Sequence, residues 1–172
     1  MKKPNELANI NKDDFLKTFA ELYEHSIWVV ENAFDEVKDD EKYNDINTFH
    51  GLLANIVLNA SKELQDSLIK AHPMLAGKKA MQNELTEFST NEQKSAGLNS
   101  CSQDEIETFN TLNKIYFDKF DFPFIMAVKG KTKEEILKNF KERIDNSLEL
   151  ERQTALAQIN KIGLIRIRGI YE

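Results

Sequence analysis

Cysteine is almost missing from this chain: Cys101 is the only one among 172 residues. A lone cysteine excludes an internal disulfide and makes a reducing compartment the default. Proline occurs three times and glycine six times, so few positions force a turn and long regular elements are expected. No run of about 18 apolar residues occurs, which leaves no candidate for a membrane-crossing helix. Basic residues are in deficit, with a net charge of −6, whereas a general nucleic-acid or anionic-membrane surface needs a basic excess. The start, MKKPNELANI, has no apolar signal region, and the end, RGIYE, is no retention or peroxisomal tripeptide. The expectation is a cytoplasmic protein that binds neither nucleic acid nor membrane.

Helical periodicity fills the space these absences leave. The composition, 41% apolar and 30% charged, is that of a soluble globular chain. The length fits one domain, or two small subdomains sharing a core. Residues 12–24 set Phe15, Phe19 and Leu22 on one helical face. Residues 26–34, SIWVVENAF, are apolar around most of the surface and should be buried. DDEKYND is expected to be a solvated loop. Residues 46–70 form one long helix, with Phe49, Leu52, Leu53, Ile56 and Leu64 inward. It stops at His72-Pro73, because proline cannot continue a helix and pushes its predecessor toward extended backbone. A loop with Gly77 follows, then a short helix over MQNELTEF.

Three Ser/Thr residues precede a glutamate by three positions: Ser89 with Glu92, Ser102 with Glu105, and Thr132 with Glu135. Each pair fits a capping box, in which two side chains satisfy free N–H groups at a helix start. The helix from Ser102 carries Ile106, Phe109, Leu112, Tyr116 and Phe120. FPFIMAV, residues 122–128, is the one clearly extended apolar run and reads as a buried connector. The last 40 or so residues are helical, with an interruption near Asp145-Asn146. The fold class is all-α.

Few residues offer chemistry. His72, at a helix end, is either a histidine interacting with the helix dipole or a general acid or base facing a cleft. Glu92 is the capping partner of Ser89, or, with Gln93 on a short helix stopped by Gly97, part of a cleft wall. In the final helix Ala155, Ile159 and Ile162 step by four and three, and the next step of four lands on Arg166. A cation on an apolar stripe is a buried ion pair, a snorkelling end residue, or a guanidinium fixed for an anionic or planar ligand. Arg168 should be solvated. His25, His50 and His72 have no metal-ligand spacing, so no metal site is expected. There is no phosphate loop and no nucleophile elbow. Cys101, before a helix start, is a favoured thiolate or a small filler. His25, between Glu24 and Trp28, reads as a partly buried structural residue.

Taken together, the blocks YEHSIWVVENAF, AHPMLAG, STNEQKSAGL, FNTLNKIYFDKFDFPFIMAVKG and RIDNSLELERQTALAQINKIGLIRI resemble, in order, those of the OHCU decarboxylases. OHCU is 2-oxo-4-hydroxy-4-carboxy-5-ureidoimidazoline. The resemblance covers roughly residues 10–170 and implies the family's single-domain helical bundle over the whole chain, with one extended connector. It implies decarboxylation of OHCU to (S)-allantoin in urate breakdown, without metal or organic cofactor, by a homodimer. By the same resemblance His72, Glu92 and Arg166 match catalytic positions. Pro73, Ser89 and Gln93 match substrate-pocket positions, as do the backbone groups of Phe124, Ile125 and Met126. Two departures stand out: NAFDEVKDDEKYND replaces an Arg-Pro-Phe segment common in the family, and Met74 stands where an acidic residue is common. The alternatives are a non-catalytic helical dimerisation or ligand-binding module on the same scaffold, and another cofactor-free lyase or hydrolase of a related ureido compound.

Overall fold

A computed structural model describes residues 1–77 and 84–172. Among the described residues every regular element is helical, so the all-α expectation holds. The chain divides into two compact units, Met1–Ala71 with Asn160–Glu172, and His72–Ile159.

The first unit holds α1 (Pro4–Ile10), α2 (Lys12–Phe19), α3 (Trp28–Asp39), α4 (Ile46–Asn59) and α5 (Lys62–Ala71). It also takes the C-terminal part of α9 (Leu148–Tyr171). Short polar side chains start two of these helices. Asn11 accepts the N–H of Asp13 at 2.7 Å before α2, and Asp45 that of Thr48 at 2.8 Å before α4. The core is aromatic. Phe15, Phe19, Phe34 and Phe49 meet with ring centroids 5.0–6.1 Å apart, within the range of favourable aromatic pairing. Tyr23 is fully buried and donates its hydroxyl to Asn160 Oδ1 at 3.1 Å.

Several sequence expectations shift here. Helix α2 stops at Phe19, and Leu22 is buried from the turn beyond it. Helix α3 starts at Trp28 and runs past Phe34 to Asp39. It is amphipathic: Val29, Val30 and Ala33 are buried, while Glu31 and Asn32 are exposed and Trp28 is half-buried. DDEKYND is no free loop, since Glu41–Asn44 form a 3-10 turn that buries Tyr43, whose hydroxyl bonds Glu36.

The long helix expected over 46–70 is two helices. Ala60 is extended, with φ −67° and ψ 161°, and Ser61 Oγ accepts the N–H of Leu64 at 3.2 Å to start α5. Gln65 Nε2 donates to the carbonyls of Val57 at 2.9 Å and Leu58 at 3.1 Å. The break lets Gln65 satisfy two of the carbonyls that the end of α4 leaves open. It also resets the helical phase, so Gln65 turns inward and Leu64 stands 41% exposed.

The second unit holds α6 (Glu87–Ser95), α7 (Gln103–Phe120), α8 (Lys133–Ile144) and the N-terminal part of α9. Capping boxes start α7 at Ser102/Glu105 and α8 at Thr132/Glu135, as expected. Helix α6 does not use one. Thr86 is its N-cap and accepts the N–H of Ser89 at 3.3 Å. Ser89 is thus inside the helix, and Glu92 is not a capping partner. The helix expected over MQNELTEF lies partly outside the described residues; of the rest, 84–86 are not helical. Gly97, with φ +76°, ends α6. The N–H of Leu98 reaches the Gln93 carbonyl at 2.9 Å and that of Gly97 reaches Lys94 at 3.0 Å, the paired bonds of a Schellman stop.

The connector 122–128 has no regular structure and is buried except for half-buried Met126. Phe124 stacks on Phe140 with centroids 3.9 Å apart. The interruption expected near Asp145 separates α8 from α9. The stripe Ala155, Ile159, Ile162 and Arg166 on α9 is buried throughout.

Candidate active site

In the second unit, His72 follows directly on the last residue of α5 and is only 7% exposed. Pro73 beside it is half-buried. The next residues form a tight loop. Ala76 has φ +48°, a left-handed conformation that disfavours an L side chain by about 1–2 kcal/mol. At Gly77 an added Cβ would lie 3.0 Å from the Cβ of Met74, so the loop closes on itself there.

Helix α6 faces this loop through Gln93. Its Oε1 accepts the Ala76 N–H at 3.0 Å, and its Nε2 donates to the Met74 carbonyl at 3.3 Å. Ser89 and Gln93 are one turn apart and both buried, while Glu92 is half-buried. From α7, Asn113 Nδ2 donates to the Leu75 carbonyl at 3.0 Å. Asn113 was not anticipated from the sequence. It sits four residues after Phe109, on the apolar stripe of α7, and a polar residue at such a position is itself a signal.

The connector is held by side chains from α8 and α9. Arg143 Nη1 donates to the Ile125 carbonyl at 2.7 Å, and the guanidinium lies 4.3 Å over the Phe124 ring. Gln158 Oε1 accepts the Ala127 N–H at 2.9 Å. Arg143 is itself paired with Glu151, Nη2 to Oε2 at 2.9 Å. Glu151 also accepts from Asn146 at 2.9 Å and from the Tyr116 hydroxyl. Burial and the bond to Glu151 both push the Tyr116 phenol above its ordinary pKa, burial more strongly. A buried carboxylate is tolerable only with this many donors.

Arg166 belongs to the first unit. Its Nη1 donates to Glu24 Oε2 at 3.0 Å and to the Glu21 carbonyl at 2.9 Å. The sequence reading of a cation on an apolar stripe is correct, and the ion-pair alternative is realised. Arg168 is exposed as expected, with Nη2 3.2 Å from Asn47 Oδ1.

Two minor readings change or narrow. His25 is not partly buried: it is exposed, with φ +47°, on a turn between buried Glu24 and Ser26. Burial and the nearby Glu105 charge raise the Cys101 pKa, which favours the filler over the thiolate. Among the described residues no group of three or more His, Cys, Asp or Glu side chains is arranged to hold a metal ion. No helix among them is long and apolar enough to cross a membrane.

The sequence model of the OHCU decarboxylase family matches residues 8–168. The chain is 38% identical over 165 residues to the 2-oxo-4-hydroxy-4-carboxy-5-ureidoimidazoline decarboxylase of Halalkalicoccus jeotgali, covering 96% of this chain and 89% of that one. It is 36% identical over 171 residues to the uric acid degradation bifunctional protein of Bacillus sp. (strain TB-90). That match covers 99% of this chain but only 32% of the bifunctional protein. In three dimensions the chain is similar to a crystal structure of (S)-allantoin synthase, with a TM-score of 0.74 at 28% identity. That superposition covers 98% of this chain and 54% of the synthase. A chain with this helical order and a buried His72 loop, matched from residue 8 to residue 168, belongs to the OHCU decarboxylase family.

Proposed function

We propose that this protein decarboxylates OHCU to (S)-allantoin in urate degradation, with His72, Glu92 and Arg166 as its catalytic residues. The observation that carries the reading is family membership over nearly the whole chain, on a structure in which His72 is buried at the head of a loop tied to α6.

The reaction needs little from the protein beyond orientation and proton control. The bond between the ring carbon and the carboxylate breaks, and its electron pair passes into the neighbouring ring imine. The imine nitrogen takes up a proton, the hydroxyl-bearing carbon becomes a carbonyl as its proton leaves, and the former imine carbon takes up a proton on one face. One proton is consumed overall. Orientation alone can supply several kcal/mol, and a positioned acid or base contributes about 10²- to 10⁴-fold. His72 exchanges a proton with the hydroxyl or the enol that follows. Glu92 orients the imidazole or the ureido group. Arg166 binds a carboxylate or ring oxygen and stabilises developing negative charge.

Pro73 and Ser89 line the pocket in this reading. The backbone N–H groups of Phe124, Ile125 and Met126 receive the ring, the Ile125 carbonyl being engaged by Arg143. The family resemblance supports a homodimer that works without metal or organic cofactor. The lone free Cys101 supports a reducing, cytoplasmic setting.

The test is stereochemical. OHCU decarboxylates unaided to racemic allantoin, so product alone is uninformative. Substrate generated freshly from urate is mixed with the protein and followed by circular dichroism. Rapid growth of the (S)-allantoin signal is expected. Racemic product at the uncatalysed rate would refute the assignment.

A further inference from the structure

We infer that Gln93 and Asn113 are positioning residues for His72, acting through the loop 74–76 rather than by touching substrate. The inference rests on the decarboxylase reading and changes the role that family resemblance gives Gln93.

Three consecutive residues after His72-Pro73 have a backbone group held by one of two buried amides. Gln93 takes the Met74 carbonyl and the Ala76 N–H, and Asn113 takes the Leu75 carbonyl. Both polar atoms of the Gln93 amide thus engage the loop, which fixes the plane of the amide and leaves it one N–H and one lone pair for anything else. The loop needs holding: Ala76 sits at φ +48° without being glycine, and strained residues persist only when their surroundings over-determine them. Asn113 is 5% exposed, and among the described residues its Oδ1 has no hydrogen-bond partner. Burying an amide with one unsatisfied end is unfavourable where leucine would suit the stripe. The bond to the Leu75 carbonyl accounts for an amide there. The effect of the two clamps is to fix the chain just after His72, and so the direction in which the imidazole points.

The experiment compares the parent with Gln93→Met and Asn113→Leu, which remove the amides at similar volume, in the (S)-allantoin dichroism assay. Displacement of a catalytic group predicts that kcat falls by about 10²-fold while KM stays within about threefold. The pH profile of kcat moves with it, because the imidazole changes surroundings. A rise in KM with kcat preserved would make Gln93 a substrate contact. Unchanged kcat, or a lower kcat with an unmoved pH profile, would leave the two amides merely structural. Either result overturns the inference. Should a nonpolar variant fail to fold, Gln93→Glu and Asn113→Ser are judged by the same criteria. Amide exchange at Ala76, slow in the parent and fast in Gln93→Met, reads the clamp without turnover. An inactive parent protein would refute the decarboxylase reading, while unchanged Ala76 exchange would refute the clamp.

Discussion

Arg166 and Glu24, 142 residues apart in sequence, meet at 3.0 Å with both side chains only 2% exposed. Removing either partner breaks a buried ion pair, which is costly even where other polar groups remain. Glu24→Ala should therefore destabilise the protein by about 3–5 kcal/mol. Thermal denaturation should show a Tm lower by about 10 °C. A Tm within a degree or two of the parent would mean that water reaches this pair.

The catalytic assignment makes a different demand on His72. His72→Asn should lower kcat by about 10²- to 10⁴-fold in the dichroism assay. Far-ultraviolet dichroism should stay as in the parent. Arg166→Lys keeps the charge but loses the planar fork, and should lower kcat/KM by about tenfold or more. Parent-like kinetics in either variant would remove that residue from the site.

Two helical glycines should respond oppositely to alanine. At Gly163 an added Cβ would lie 3.1 Å from Tyr23 Cζ and 3.2 Å from its hydroxyl, and Tyr23 is fully buried. Gly163→Ala should destabilise by about 1–3 kcal/mol through overpacking. At Gly51, within α4, the same atom would meet nothing within 4 Å. Gly51→Ala should stabilise by about 0.5–1 kcal/mol. Urea denaturation of both variants checks the pair.

His50 gives stability a pH dependence. Its Nε2 lies 2.7 Å from the Asn160 carbonyl, and since a carbonyl only accepts, that nitrogen carries the proton. Burial lowers the His50 pKa below its ordinary value, the Arg168 charge adds to this, and the Asn160 bond offsets part of it. The neutral imidazole is thus favoured in the folded state. Its contribution is full above the unfolded pKa of about 6.5 and is lost as pH falls through the lower folded value. Tm should decline on that side, and His50→Gln should flatten the decline.

The buried carboxylate of Glu151 is graded by its donors. Tyr116→Phe removes one of them and leaves Arg143 and Asn146 in place. The loss should be about 1–3 kcal/mol. Glu151→Leu leaves Arg143 without its counter-charge and should reach about 3–5 kcal/mol. Denaturant titration that ranks the two the other way would contradict this.

Much of the fold could be read from periodicity and capping. The boxes at Ser102 and Thr132 and the glycine stop at Gly97 were local signals that the structure kept. The failures have local causes too. Ala60-Ser61 contains neither glycine nor proline, and its break is stabilised by Gln65 reaching back to α4, a side-chain bond no spacing rule reveals. Ser89 mimicked an N-cap because Thr86, three residues earlier, could serve as well. For the site, the apolar stripes carry more polar residues than Arg166. One step of four back from Ala155 lands on Glu151, and one step of four on from Phe109 lands on Asn113. Polar residues on apolar stripes were thus visible in the sequence, while their partners were not, because Glu24 and Leu75 lie far along the chain.

The first unit is assembled from both ends of the chain. Tyr23 waits for Asn160, Glu24 for Arg166, and the Lys2 carbonyl for the hydroxyl of Tyr171, 169 residues later. The second unit is one continuous stretch, His72–Ile159. On the ribosome, where domains emerge from the N-terminus, the order is therefore inverted. The later-made middle can close while the earlier-made N-terminal helices still lack the last segment of their core. Tyr23 is the core residue whose cover arrives late, since Asn160 and Gly163 lie against it, and the interval lasts until that part of α9 leaves the exit tunnel.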